Sequence, residues 1–180
     1  MVEVADVWWL AHRDWSEQRS PWTGGVLGAV EWVIGTGCGP ITGRDERPVT
    51  WSLAVAELTA AAVVMRGSGP LESECARLGV AYREPLFTDR DHAVGVWRTL
   101  GWLCEPDRVG GSPLPVPQRR PDGSVPSADE LYAGAIAVNP GAYREPGQRV
   151  ELRGRAVKAE ADFRWLVARI EETQRRAGVV

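Results

Sequence analysis

The sequence predicts an all-α fold: an irregular helical domain with long Pro/Gly-rich loops and a long C-terminal amphipathic helix. Two patterns predict it. Apolar residues recur at helical spacing in every long segment, and no segment alternates strictly between apolar and polar residues. The chain has 180 residues, of which 44% are hydrophobic and 25% charged, so it can bury a sizeable core.

The first two predicted helices lie before residue 36. Val4, Val7 and Ala11 belong to one apolar stripe, which predicts a helix from about Val2 to Ser16. Breaks at Ser20-Pro21 and Gly24-Gly25 are expected to follow it. A second helix, apolar nearly all round, is predicted from Val26 to Gly35.

The next predicted helix runs from Trp51 to Met65. Thr50 can cap its N-terminus and Gly67 can end it. Glu57 is the only charge in this segment. Because Glu is seldom fully buried, we expect Glu57 where this helix meets solvent. The alternative is a buried carboxylate with a raised pKa or an arginine partner.

Two more helices are predicted before the proline-rich region. A short one begins at Pro70 and ends near Leu78, where Gly79 follows. The stretch from Val80 to Phe87 is expected to be extended, with at most a short strand pairing. A capping-box pattern at Thr88–Asp91 then begins a helix that reaches about Glu105.

The segment from Pro106 to Pro126 contains six prolines and is predicted to hold no regular element. It is expected to act as a linker or as a strap over the surface. The predicted organisation is therefore a helical core domain at 1–105, the Pro-rich segment at 106–126 and a C-terminal helical segment at 127–180. That last segment is expected to pack on the core or on a partner.

The C-terminal segment is predicted to hold a short helix and a long one. Ser127 and Glu130 form a capping box for a helix that ends near Val138. Pro146 begins the long helix, which reaches about Ala177. Its apolar residues show heptad spacing, typical of a helix packed along another helix. They are Leu152, Ala156, Ala159, Phe163, Leu166, Ile170 and Thr173.

The chain contains nine Trp residues, a type that often anchors interfaces. Trp165 falls opposite the heptad stripe, so we expect it to anchor a partner. The alternative is that the Pro106–Pro126 segment covers it. The candidate interface residues are Trp9, which lies off the stripe of the first helix, together with Trp165, Arg169 and Glu172.

Two segments of the chain resemble each other. The eleven residues from Gly25 can be aligned with the eleven from Gly95, so that Gly, Val and Trp coincide. Each segment precedes a loop rich in Pro, Gly and Arg and then a helix. This indicates either an internal duplication or a chance similarity between Trp-rich helices.

Two further motifs resemble small helical proteins of actinobacteria and their phages or mobile elements. The first is the loop Pro40-Ile41-Thr42-Gly43-Arg44, and the second is the run from Pro115 to Tyr132. The resemblance covers about two thirds of the chain. The resemblance implies an origin in actinobacteria or their mobile elements. It implies no activity, because these motifs determine local structure and contain no catalytic pattern.

No catalytic, cofactor-binding or metal-binding residues are predicted. Nucleotide-binding, Walker and serine-hydrolase patterns are lacking, and the three cysteines form no CxxC pair. Asp89 and Asp91 lie beside His92 in the predicted first turn of a helix. Acidic residues are expected there, because they interact favourably with the helix dipole. An enzyme would need these residues and Glu57 to converge in one pocket.

Charge and hydropathy narrow the class of partner. A net charge of −3 and a mixed-sign last helix predict no nucleic-acid partner. The longest apolar run, Leu53 to Met65, is too short to span a bilayer, and the N-terminus lacks a signal-peptide pattern. We therefore expect a cytoplasmic, non-enzymatic interaction or structural protein that binds a protein partner or its own copies, without a cofactor. The alternatives are a DNA-associated regulator and the small enzyme above.

Overall fold

The computed structural model describes residues 2–179 and is all-α. The described residues form eight helices and contain no strand. The helices are α1 (Val2–Gln18), α2 (Pro21–Val33), α3 (Trp51–Arg66), α4 (Leu71–Leu78), α5 (Arg90–Cys104), α6 (Pro106–Val109), α7 (Ala128–Val138) and α8 (Pro146–Arg176). The predicted fold class, including the long C-terminal helix, is confirmed.

Most helices begin and end at the residues that local chemistry favours. The side chain of Thr50 accepts a hydrogen bond from the Leu53 backbone at the start of α3, and Gly67 ends α3 with a φ of 77°. At the start of α7, Ser127 and Glu130 form the predicted capping box.

Three local expectations were wrong. Helix α2 begins at Pro21 rather than Val26, because Ser20 is its N-cap and Pro21 occupies the first turn. The N-cap of α5 is Asp89 rather than Thr88. The Pro-rich segment is not wholly irregular either, since Pro106 begins the four-residue α6.

The chain divides into two compact units between Pro115 and Val116. In the first unit, α5 packs against both α2 and α3, and α1 packs against α2. Fully buried side chains from these helices, including Trp32, Ala56, Val96 and Leu100, form its core.

Helices α2 and α5 cross at glycines. A Cβ on Gly25 would lie 2.1 Å from the His92 carbonyl oxygen, and a Cβ on Gly95 would lie 2.1 Å from that of Trp22. Only glycine permits so close a backbone approach. The two glycines that align in the sequence therefore meet at one helix crossing.

The second unit contains α7 and α8, which pack against each other. The Ala128 backbone N–H donates to Glu160 Oε2 at 2.7 Å, and Arg153 pairs with Asp129 at 3.0 Å. The residues of α8 that are buried lie on one side of the helix, as the heptad spacing predicts: Leu152, Ala156, Leu166, Ile170 and Thr173. No described helix is long and apolar enough to cross a membrane.

Candidate functional site

The most densely hydrogen-bonded buried group is the carboxylate of Glu57, which the 40–44 loop wraps. Its Oε1 accepts from the backbone N–H of Ile41 at 2.5 Å and of Thr42 at 2.8 Å. Its Oε2 accepts from Thr42 Oγ1 at 2.7 Å and from Arg44 Nε at 3.1 Å. Both Glu57 and Arg44 are fully buried.

The expectation that Glu57 meets solvent was therefore wrong, and the alternative of an arginine partner is correct. A buried carboxylate persists when a cation and several donors compensate for its lost hydration, and four donors do so here. The backbone N–H groups of Ile41 and Thr42, two residues of this loop, are satisfied at the same time. This cluster is a clamp that fixes the 40–44 loop on α3.

The four residues of the enzyme alternative do not converge in one pocket. Asp89 caps α5 by accepting from the His92 backbone N–H at 2.8 Å, and Asp91 is exposed. The His92 ring lies 3.0 Å from the Pro40 carbonyl oxygen and stacks on Phe87. Glu57 and His92 thus contact the same loop, but each already forms hydrogen bonds with the backbone of that loop.

Among residues 2–179, no group of three or more His, Cys, Asp or Glu side chains is placed to hold a metal ion. The three cysteines are free, and Cys75 is buried. Burial raises the pKa of the Cys75 thiol, and the nearby Arg44 only partly offsets this effect.

The predicted interface residues lie in both units. Trp9 belongs to α1 in the first unit, where it is half-buried with its ring edge-to-face against Trp8 at 4.4 Å between centroids. Trp165, Arg169 and Glu172 belong to α8 in the second unit, and Glu172 pairs with Arg176. The predicted residues therefore divide between two sites, one on each unit.

Trp165 keeps 56% of its surface exposed. The Arg169 guanidinium carbon lies 4.2 Å from the centroid of its ring, a cation–π contact that holds the indole along the helix. A rigid, exposed aromatic side chain is the typical anchor of a protein interface.

Trp165 belongs to a continuous exposed stripe on α8, which we call the outer face. All of its six residues are exposed: Val150, Gly154, Val157, Ala161, Trp165 and Ala168. Val150 and Val157 are 74% and 56% exposed. At about 100° per residue, Ala161 lies about 180° from Leu152, which is at the centre of the buried side. Helix α8 therefore has two opposite apolar stripes, one buried and one exposed.

Comparison with protein-family models, with curated proteins and with solved structures gives no significant match.

Trp165 was predicted from the sequence as an interface residue, whereas the other residues of the outer face were not. The signal was present, because Val150, Val157, Ala161 and Trp165 follow helical spacing. The stronger Leu- and Ile-containing stripe masked it, since a single apolar face is the usual pattern of a surface helix.

Proposed function

We propose that this chain is a non-enzymatic helical interaction protein that self-associates through the outer face of α8. The observation that carries the proposal is the exposure of an unbroken apolar stripe opposite the buried side of the same helix. We also propose that the chain originates from actinobacteria or their phages, because its 40–44 and 115–132 segments resemble proteins from those sources.

The apolar residues of the outer face supply the driving force. Val150, Val157 and Trp165 each leave more than half of their surface in water. Burial of such a side chain contributes about 25 cal/mol per Å² of apolar area. Aromatic and aliphatic residues spaced along one face of a helix suit another helix as the occupant.

The charges on one flank of the outer face favour a second copy of α8 as that helix. This flank carries Glu151, Lys158, Asp162 and Arg169. In an antiparallel pair with its two-fold axis at Ala161, the flank meets the same flank of the second copy. Glu151 then lies opposite Arg169, and Lys158 lies opposite Asp162, so each charge meets one of opposite sign.

The other flank has the same property. It carries Arg153, Glu160, Arg164 and Glu171. About the same axis, Arg153 lies opposite Glu171 and Glu160 lies opposite Arg164. Within one helix Arg164 pairs with Glu160 at 2.6 Å, and the Arg164 side chain is exposed, so its guanidinium can also reach an acid of a second copy.

A parallel pair of α8 helices is also complementary. It would bring the two unlike flanks together, with Glu151 near Arg153 and Lys158 near Glu160. The charge pattern therefore supports α8 as its own partner in either direction.

Sedimentation velocity on the full chain tests the proposal. We expect a dimer in the wild type at micromolar concentration and a dissociation constant at least tenfold higher for Trp165→Ala. Ala161→Glu places two like charges at the centre of the interface and should give a monomer. Trp51→Ala is the matched control, because Trp51 is also 56% exposed but lies in the first unit.

Thermal unfolding of each variant shows that its fold is intact. A wild-type chain that remains monomeric at 100 µM or more overturns the proposal, as does a Trp165→Ala variant that dimerises like the wild type.

A further inference from the structure

A groove of about 290 Å³ runs along α3 in the first unit. Its floor is the helix face that carries Trp51, Val55, Leu58, Ala62 and Arg66, and α4, α5 and the residues after α5 contribute its sides. Trp51 and Arg66 are fifteen residues apart, which corresponds to about 22 Å along the helix axis. The groove therefore follows the full length of α3.

Three arginines and two glutamates line this groove. The Arg77 Nε donates to Glu74 Oε2 at 2.9 Å, and the Arg108 Nη1 donates to Glu105 Oε2 at 2.8 Å. The Arg66 side chain forms no hydrogen bond or ion pair with any residue that the structure describes. The groove therefore contains one cation in excess, and an anionic group on a ligand would complement it.

The lining also contains apolar and aromatic surface. Trp51 is 56% exposed at one end of the groove, and Trp97 is half-buried in its side. Thr59 and Ser68 add hydroxyl groups between the apolar residues. A ligand that fits therefore combines apolar side groups with hydrogen-bonding groups.

We propose that this groove binds an extended acidic peptide segment, with a carboxylate of the peptide paired with Arg66. An extended chain rises about 3.3 Å per residue, so the 22 Å between Trp51 and Arg66 accommodates six or seven residues. Arginine pairs with a carboxylate through two parallel hydrogen bonds, which fixes the register of the peptide.

Selection from a phage-displayed library of random heptapeptides tests the proposal. Wild-type protein is expected to enrich peptides with one acidic residue and apolar residues at alternate positions. Arg66→Glu is expected to lose these peptides and to enrich peptides with a basic residue in the same register. Arg155→Glu, which changes an exposed arginine of α8, is the matched control and should select like the wild type.

A synthetic peptide of the consensus sequence then gives affinities by isothermal titration calorimetry. Arg66→Glu should weaken its binding at least tenfold, and Trp51→Ala at least threefold, without a change in thermal midpoint. If no sequence is enriched, or the enriched peptides lack an acidic residue or bind Arg66→Glu as tightly as the wild type, the proposal is wrong. Trp165→Ala should bind the peptide like the wild type, so this outcome is independent of self-association through α8.

Discussion

Gly25 and Gly95 occupy equivalent positions at the crossing of α2 and α5. Each glycine faces the carbonyl of the residue three positions before the other glycine, His92 for Gly25 and Trp22 for Gly95. A Cβ on Gly25 would also lie 3.0 Å from the Val96 backbone nitrogen, and a Cβ on Gly95 would lie 3.0 Å from the Val26 backbone nitrogen. The crossing is therefore locally two-fold symmetric, and the similarity between the two segments coincides with this symmetry.

The first prediction follows from this contact. Gly25→Ala and Gly95→Ala should each lower the free energy of unfolding by about 2 kcal/mol or more, because a methyl group would collide with backbone that cannot rotate away. Urea unfolding followed by tryptophan fluorescence measures the loss.

Gly28 provides the control for these two substitutions. It lies in α2, and its Cβ would meet only Pro40 Cβ, at an ordinary 3.4 Å. Gly28→Ala should be neutral or stabilising by up to about 1 kcal/mol, because Ala favours the helix. If all three variants lose equal stability, helix approach is not the cause.

Helix ends of this chain could be predicted where one local residue decides them. Thr50, Gly67 and Ser127 form their capping hydrogen bonds with residues no more than four positions away, so the local sequence predicts their roles. The start of α2 was misplaced because Gly24-Gly25 resembles a break. Gly25 is instead required by the close approach of α5, a contact about seventy residues away in the chain that local rules do not contain.

The Glu57 clamp could not be predicted for a related reason. Burial of a carboxylate depends on donors that arrive from elsewhere, and Ile41, Thr42 and Arg44 come from a loop thirteen to sixteen residues earlier. The sequence showed the acid and the loop separately. Only the fold shows that the loop supplies all four donors.

The second prediction is an asymmetry within this clamp. Glu57→Gln should cost about 3 kcal/mol or more, because it leaves Arg44 as a buried charge without a counter-charge. Arg44→Met should cost less, since Glu57 keeps its bonds to Ile41 and Thr42. The two terminal nitrogens of Arg44 have no hydrogen-bond partner among the described residues, so their loss removes a desolvation cost. Equal losses in urea unfolding would contradict this asymmetry.

The third prediction concerns pH and Glu130. The Ser127 hydroxyl, Arg120 and the Ser127 backbone N–H together lower the pKa of Glu130 from 4.5 to about 2. A pKa below the unfolded value means that the folded state favours the ionised form. This contribution is fully present above pH 4.5 and is lost as the pH falls through 2.

Glu130→Gln should therefore lower the urea midpoint of the second unit at pH 7, and the difference from the wild type should shrink between pH 4.5 and 2. Glu72→Gln, in the first unit, is the control, since Glu72 is exposed and forms no ion pair with the residues that the structure describes. A wild-type advantage over Glu130→Gln that persists at pH 2 would show that another interaction is responsible.

The last prediction tests the charge pattern of α8, which rests on the proposed self-association. Lys158→Glu places a second acid opposite Asp162 of the other copy, so the flank becomes repulsive in the antiparallel pair. Two such contacts form in each dimer, and each exposed pair contributes up to about 1 kcal/mol. The dissociation constant should therefore rise about fivefold or more, as measured by sedimentation equilibrium at low salt. Asp162→Lys combined with Lys158→Glu restores opposite charges across the interface and should return the dissociation constant to near the wild-type value. If the double variant is as weak as the single one or weaker, the pair is parallel, because the exchanged charges then face Glu160 and Arg164 with like sign. If the single variant dimerises like the wild type, the apolar outer face alone determines the pairing of α8.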